Sequence, residues 1–551
     1  MDKTLCKVLA MLGGAEFGES GHSARVNGPI LKSFMEATGL FEVTLTEDHE
    51  MFRPERIAPF DLVICYTTGG DLTAEQERGL ADFVRSGKGF LGIHSAADSF
   101  KSSSAYMEMI GSRFRTHPRF MPHDFTLHDD THPVTVRTQS FTMPEELYII
   151  DLNVPASQLN ILASATYQGV KYPVCYTKSY GKGRVVYISL GHQRNAFEHW
   201  TFQSWVRHGA EWATGRSDSW AGPIRCGLIG YGPAFGMGKV HGEMIQKTPG
   251  LKLVAACELD PRLLETAQAD FPGIAVFQDY RKLAGSGDVD LVVVITPHNT
   301  HRDIAVACLD AGCHVIVEKP MAITSAECTD MIEAARKKAR MVTVFHNRRL
   351  DSDFLTLLEL VQSGAIGDIV HIEAAASGRH RPGTWWRSDK KVSGGIMHDW
   401  GAHFLDWMFQ FVPKPILSVS GHMKKCIWPH VTIEDSADAI IRFEGGVTGR
   451  FYTSSIDPTP YPRWRIVGTD GAITADNDGY DLWTDVGRAR GKFKEFWGEY
   501  NGKYFYWNIA GHLIASDPLM IKPEEARKII SVVEATETSS KAGGEVRPNY
   551  C

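Results

Sequence analysis

The sequence predicts an α/β protein with three cores, two built on parallel sheets and the third of α+β type on an open, mainly antiparallel sheet. Three observations predict it. The chain has 551 residues, more than one core accommodates, since domains run to about 100–200 residues. Short apolar runs alternate with helical stretches in two successive series, the signature of parallel sheets covered by helices. From about residue 344 onward, strand-like runs dominate instead.

The first series comprises KVLAML, DLVICYT and GFLGIH, with helical stretches such as TAEQERGLADFVRSG between them. RVVYISLG closes it near residue 190, and WVRHGAEWATG reads as a helix stopped by Gly215. The turn-rich RSDSWAGP then sets a first domain at 1–217 and a linker at 218–222. A second series follows over 223–343: CGLIG, a glycine loop, LKLVAACE, DLVVVIT and CHVIVEKP. The third domain, 344–551, carries IVHIEAAAS, ILSVSGHM, SADAIIRFEG, VTGRFYTSS and RWRIVGT, with one strong helix beginning near Gly395.

Composition excludes several classes. The chain is 43% apolar and 22% charged with a net charge of −7, so no basic footprint for nucleic acid is present. No apolar run approaches the roughly 18 residues that span a bilayer, and none marks a membrane protein. The opening MDKTLCKVLAMLGG is too short in its apolar part for a secretory leader and reads as a first strand. Ten scattered cysteines without a CxxC pair suit reduced thiols, and together these features predict a cytoplasmic protein.

LIGYGPAFGMGKVH, 228–241, is a glycine loop after a strand. Gly230 suits the tight turn of a dinucleotide-binding loop, and Gly232 the close approach of backbone to pyrophosphate. Phe235 stands where a third glycine is usual, so Gly238 serves only if the loop carries three extra residues. Glu258 ends the next apolar run, at the place of the acid that binds the adenosine ribose. Leu259 after it offers no cation to a 2′-phosphate, which favours NAD over NADP, with Arg262 the residue that keeps NADP open.

ITPHNTH (295–301), VEKP (317–320), FHNRRLD (345–351) and SGGIMHDWGAHFLD (393–406) follow in that order, with PEEARKIISVVEA near the end. Together they resemble the glucose–fructose oxidoreductase/inositol dehydrogenase (Gfo/Idh/MocA) family over about 223–545. The resemblance implies a Rossmann domain, a catalytic set of Lys319, Asp399 and His403, and Thr296, Pro297, Asn299, His301, Glu318 and Lys319 along the cofactor. It also implies a homodimer or homotetramer.

The chemistry is intelligible by itself. Oxidising a sugar alcohol needs a base for the hydroxyl proton and a nicotinamide to take the hydride. Asp399 and His403 are four apart and share a face if HDWGAHFLDW is helical, with Asp406 nearby. His403 is expected as base, Lys319 as the partner polarising the hydroxyl or as alternative base, and Asp399 as orienter and substrate contact. Beside a cationic nicotinamide, the Lys319 ammonium is expected to be disfavoured. His301 suits packing as well as cofactor contact. Trp386 and Arg387 in TWWRSD offer a stacking face and a fork for sugar oxygens, while Arg348, Arg349 and Tyr461 are weaker substrate candidates.

In the first domain, GFLGIHSAAD places His94 on the turn after a strand, where class I amidotransferase-like folds carry a Cys or Ser nucleophile. A histidine there argues against covalent hydrolysis. GIHSAAD and GKGRVVYISLGH closely resemble the trehalose-utilisation (ThuA-like) family over about 5–215. This implies a flavodoxin-like, class I amidotransferase-like fold and an association with dehydrogenases that make 3-keto sugars. Protons flanking such a ketone are acidic, and moving one needs acid/base groups near neutral pKa. His94, His22, His192 and Glu146 are the candidates, with His117 a lesser one; His117 and His132 before proline also read as turn residues. A metal site is the alternative reading of the cluster; HxH and HxxxH spacings are absent among these positions, so no metal ligand is assigned.

The sequence therefore predicts a bifunctional enzyme acting on a small-molecule sugar or glycoside. Its C-terminal part oxidises a hydroxyl, at C3, with NAD, and its N-terminal part processes the keto sugar by acid/base chemistry. The alternatives are a dehydrogenase with a sugar-binding N-domain, a glycosidase-like enzyme that holds and recycles NAD, and a non-catalytic NAD-dependent sensor.

Overall fold

The structure, a computed structural model, describes residues 5–14, 24–219, 223–459, 461–485, 489–493 and 502–550. It divides into two compact units, Met1–Gly222 with Ile509–Pro518, and Pro223–Asn508 with Leu519–Cys551.

In the first unit, the strands are β1 (Cys6–Gly14), β2 (Phe41–Thr46), β3 (Leu62–Thr68), β4 (Gly89–Ile93), β5 (Ser112–Thr116), β6 (Met121–Leu127), β7 (Phe141–Glu145), β8 (Ile149–Leu152), β9 (Asn160–Tyr167), β10 (Val170–Tyr180) and β11 (Gly183–Ile188). Nine of them form one sheet in the order β2-β1-β3-β4-β11-β10-β9-β6-β7, and β5 pairs with β8 separately. β2, β1, β3, β4 and β11 run parallel, so the parallel core has the flavodoxin-like order 2-1-3-4-5. β11, β10, β9, β6 and β7 pair antiparallel, an extension that the expectation of a simple parallel sheet did not include. Apolar cores lie on both faces, one around Trp205 and Phe202, the other around Phe90, Tyr106 and Tyr187. β3 and β4 are buried along their whole length, which is why they read as continuous apolar runs.

Ile509–Pro518, which the sequence assigns to the last domain, packs with the first unit. The cause is a buried charge. Asp517 meets Arg207 Nε at 3.2 Å and His208 Nε2 at 3.3 Å, all three almost wholly out of solvent.

The second unit begins with β12 (Ile224–Ile229), β13 (Leu251–Cys257), β14 (Ala275–Phe277), β15 (Leu291–Val294), β16 (His314–Val317) and β17 (Val342–Val344). They form a parallel sheet in the order β14-β13-β12-β15-β16-β17, the 3-2-1-4-5-6 order of a Rossmann fold. Its direction of winding reverses between β12 and β15, where such sheets bind ligands. β18 (Ile369–Ser377), β19 (Ile416–Lys424), β20 (Ser436–Phe443), β21 (Thr448–Ser454), β22 (Trp464–Gly468), β23 (Gly471–Ala475), β24 (Tyr480–Thr484) and β25 (Ala489–Phe493) make an eight-stranded sheet. Only β18 and β21 pair in parallel there. The helix Gly401–Phe411 packs its apolar side chains with those of this sheet. No helix of the described residues is long and apolar enough to cross a membrane.

Candidate functional site

The glycine loop leaves β12 at the reversal point. Gly230 has φ +102°, and a Cβ there would lie 2.6 Å from the Ile295 carbonyl oxygen. At Gly232 a Cβ would meet nothing within 4 Å, so the backbone faces an open cradle. A Cβ on Gly238, inside the helix Met237–Gln246, would strike the Tyr231 ring at 2.6 Å. The extra residues form one turn of 3₁₀ helix, Ala234–Gly236, with Phe235 at φ +59° and largely exposed. Glu258 is fixed at the end of β13: Tyr231 N–H donates to Oε2 at 2.8 Å and Leu259 N–H to Oε1 at 2.6 Å.

A cleft of 1080 Å³ runs over this loop, lined among others by Gly232, Glu258, Thr296, Pro297, Asn299 and His403. It adjoins a chamber of 550 Å³ toward Tyr461 and Arg463. His298, Trp385, Arg387, Asp399 and Trp400 line both. A dinucleotide fits the loop's open cradle and the poised carboxylate.

At the join, one carboxylate holds two cations. Asp399 Oδ1 lies 2.9 Å from Lys319 Nζ and 2.6 Å from Arg387 Nη1. Burial alone would raise the Asp399 carboxyl, but the Lys319 and Arg387 charges win and hold it at about 2. Lys319 Nζ also donates to the Asp399 carbonyl at 3.2 Å. Glu318, the neighbour of Lys319, receives His241 Nε2 at 3.0 Å and Lys319 N–H at 2.9 Å. Burial opposes its charge, yet the His241 hydrogen bond and the Lys319 cation keep its carboxyl below the ordinary value.

His403 is buried, and its Nδ1 has no hydrogen-bond partner among the described residues. Burial, then Lys319 and Arg348, hold it well below the usual imidazole value, so it stands neutral with a lone pair to offer. The expected single helix is two: Ile396–Asp399 and Gly401–Phe411, joined through Trp400 in helical conformation. Asp399 and His403 both still reach the cleft. Arg387 also stacks over Phe235 at 4.7 Å and Trp386 at 5.0 Å, tying the extra loop turn to the TWWRSD segment.

Two candidates are corrected. His301 is fully buried, its Nδ1 3.0 Å from the Pro320 carbonyl and its Nε2 2.8 Å from that of Thr296, so it braces the strand end instead of lining the cleft. Arg349 is buried against Asp406 and Glu525, a structural ion pair that engages both Asp406 carboxylate oxygens. Arg348 lines the cleft over Trp400, while Tyr461 lines the chamber and accepts a hydrogen bond from Arg450. His298 went unnominated, although it stands in the ITPHNTH motif beside His301. Its Nδ1 bonds the Ser393 carbonyl at 2.8 Å, and its ring meets Trp386 edge-on at 4.9 Å. Sequence spacing cannot tell which of two histidines three apart turns inward.

The first unit holds a second constellation. His94 opens the turn after β4 in the left-handed region, φ +44°, where non-glycine residues are uncommon. Its Nδ1 lies 2.7 Å from the Ser189 carbonyl, just past β11, and its ring rests on Tyr148 at 3.9 Å. Glu146 follows β7. Its Oε2 lies 3.0 Å from His192 Nδ1 and 3.7 Å from His94 Nε2, while Oε1 lies 3.0 Å from His117 Nδ1.

His94, Glu146 and His192 are buried, and one ligand atom from each lies within 4.8 Å of the others. The absence of close histidine spacings therefore did not exclude a metal-type cluster: the three come from the ends of three separate strands. His117 adjoins the constellation and also makes a local turn bond, its Nδ1 lying 2.8 Å from the Pro118 carbonyl. His132 is a turn residue, its Nδ1 accepting the Val134 N–H at 3.2 Å. His22 lies outside the described residues.

Glu145, unnominated, accepts the N–H groups of Gly191 at 2.9 Å and His192 at 3.2 Å and so fixes the His192 loop. Burial outweighs these bonds and pushes its carboxyl up to about 7.

Residues 8–213 match the family model described as trehalose utilisation, ThuA. Residues 224–346 match that of the oxidoreductase family with an NAD-binding Rossmann fold, and 354–474 match the Gfo/Idh/MocA C-terminal domain. A relative named scyllo-inositol 2-dehydrogenase (NADP(+)) IolW, from Bacillus subtilis, is 28% identical over 351 residues, 58% of this chain and 94% of that protein. Glycosyl hydrolase family 109 protein 1 of Bacteroides thetaiotaomicron is 30% identical, covering 45% of this chain and 59% of its own length. The chain spans 50% of an uncharacterised Schizosaccharomyces pombe oxidoreductase, C26H5.09c, and 55% of Escherichia coli YdgJ. The aldose-aldose oxidoreductase of Caulobacter crescentus superposes with a TM-score of 0.52 at 19% identity, over 59% of this chain and 99% of that one. A levoglucosan dehydrogenase in complex with NADH gives 0.53 at 22% identity, with the same coverage.

Proposed function

From a chain that joins a ThuA domain to the two domains of a Gfo/Idh/MocA oxidoreductase, we propose a bifunctional carbohydrate enzyme. The second unit oxidises a sugar or glycoside hydroxyl, at C3, with NAD, and the first unit processes the resulting ketone. The reading rests on one observation: the Lys319–Asp399–Arg387 ion cluster sits where the nucleotide cleft opens into the chamber. Relatives named as an inositol dehydrogenase and a glycosyl hydrolase support a carbohydrate-like substrate class; the proposal includes a homodimer or homotetramer.

When bound, the nicotinamide dinucleotide supplies the hydride acceptor. Gly230, Gly232 and Gly238 shape its cradle, Glu258 takes a ribose hydroxyl, and the exposed Leu259 leaves no cation for a 2′-phosphate, which favours NAD. Lys319 polarises the substrate hydroxyl while neutral His403 accepts its proton. Asp399 holds Lys319 in place, and Trp386 and Arg387 meet the sugar face and oxygens. His403 is a weak base, so polarisation by Lys319 must lower the hydroxyl pKa for the transfer to proceed.

In the first unit, the ketone's flanking C–H is acidic. Among His94, His192, Glu146 and His117, one group takes that proton and another returns it, leaving a rearranged or cleaved ketone. The relative named as a glycosyl hydrolase favours a second reading, in which oxidation, elimination and reduction give net glycoside cleavage with the nucleotide retained.

The test pairs two variants. Lys319→Ala should abolish NADH formation from glycosides, and His94→Ala should stop consumption of a supplied 3-keto sugar while NADH still forms. No NADH from any sugar with the wild-type protein overturns the oxidoreductase reading. Undiminished ketone consumption by His94→Ala overturns the role of the first unit.

A further inference from the structure

We infer that His94, Glu146 and His192 hold a divalent transition-metal ion in the first unit. Its open positions take the oxygens of a vicinal hydroxy ketone. Ion binding follows from the residues alone; the ligand class rests on the ketone-processing reading above.

The donor atoms carry the inference. His94 presents Nε2 to the cluster because its Nδ1 is 2.7 Å from the Ser189 carbonyl. That bond places the proton on Nδ1 and leaves the Nε2 lone pair facing Glu146. A ligating histidine is generally oriented this way, its other N–H given to a backbone carbonyl. Glu146 turns Oε2 inward and Oε1 to His117, so its own outer partner is present as well.

The distances decide between geometries. An ion with bonds of about 2.0–2.2 Å needs neighbouring donors about 3.0–3.5 Å apart. Glu146 Oε2 is 3.0 Å from His192 Nδ1 and 3.7 Å from His94 Nε2, and the full set lies within 4.8 Å. Small side-chain adjustments therefore close the set around an ion. Two imidazoles and one carboxylate suit Zn²⁺, Fe²⁺, Co²⁺ or Mn²⁺ better than Mg²⁺ or Ca²⁺. Among the described residues the protein supplies three ligands, a set that leaves positions open, as in catalytic sites and unlike closed structural ones.

The open positions define the ligand. A ketone oxygen and the adjacent hydroxyl oxygen can both bind the ion, which stabilises the negative charge that develops when the C–H between them loses its proton. His117, half exposed and against Glu146 Oε1, is then the group placed to carry that proton outward.

The experiment uses the full-length protein, stripped by chelator and reloaded separately with Zn²⁺ and Co²⁺. Wild type should retain about one ion per chain by elemental analysis and show a visible Co²⁺ d–d band. Glu146→Gln and His192→Ala should lose the band and weaken Zn²⁺ binding beyond the about 10–100-fold that an outer partner costs. His132→Ala, which removes a turn imidazole, should retain the ion; circular dichroism checks the fold of each variant, and the wild-type band stands whatever a variant does. Absence of a retained ion in wild type, or undiminished retention in folded Glu146→Gln and His192→Ala, overturns the site. Retention without keto-sugar consumption supports the site and overturns the ketone reading. Equal consumption by stripped and loaded protein overturns the metal's role in it.

Discussion

Leu259 is 80% exposed beside the cleft, directly after the carboxylate that faces the loop. In the proposed reading, this position bears on nucleotide choice by charge. A 2′-phosphate would meet Glu258 and find no cation in Leu259; Arg262 is engaged with Asp260 at 2.6 Å. Glu258→Ser with Leu259→Arg should therefore raise affinity for NADPH over NADH by about tenfold or more, the worth of one charge-assisted hydrogen bond. Fluorescence titration with both nucleotides checks it, and an unchanged ratio would place the 2′ position elsewhere. The place of Glu258 at a strand end was legible in the sequence because LKLVAAC is an apolar run; the Tyr231 and Leu259 N–H groups that hold its carboxylate came from the fold. The inward turn of His298, and not His301, was not legible: both lie in one motif, and the choice depends on the carbonyls of Ser393, Pro320 and Thr296, which the fold supplies.

Among elements, the loop and first helix of the Rossmann sheet separate binding from packing. Gly232 faces open space, whereas a Cβ on Gly238 would strike the Tyr231 ring. Gly232→Ala should leave the melting temperature unchanged and weaken NAD binding by encroaching on the cradle. Gly238→Ala should cost about 1–3 kcal/mol of stability by overpacking, with weaker NAD binding as a consequence. Thermal unfolding with and without nucleotide distinguishes them; equal melting shifts for the two variants would refute the separation. The three-residue extension was readable from the displaced glycine. Its contact through Phe235 with Arg387 was not, because those residues are more than a hundred positions apart.

For the whole molecule, the placement of Ile509–Pro518 in the first unit hangs on Asp517. Burial would raise its carboxyl, but His208 and Arg207 hold it far below its ordinary value of 3.8. Removing one partner of such a pair strands buried charge, at a cost of about 3–5 kcal/mol. Asp517→Ala should accordingly lower the melting transition of the first unit by about 6–20 °C. The pH dependence has a fixed sign. A depressed carboxyl stabilises fully above its unfolded value of 3.8, and the stabilisation is lost as pH falls below it toward the folded value. Acid titration of the melting transition should show the Asp517→Ala protein converging on wild type as pH falls. A gap that stays constant would remove the electrostatic cause.

The sequence by itself determined the two strand–helix series, the glycine turn after β12, and the strand ends that carry Glu258 and Lys319. Each of these is written in local period, turn chemistry or a short motif. The tertiary structure alone decided that β11 closes a parallel core with an antiparallel extension beyond it, that Arg349 is spent on Asp406, and that His94, Glu146 and His192 converge. The physical reason is separation along the chain: strand ends that meet in space carry no spacing signal, and a buried side chain's partner is fixed by register and packing.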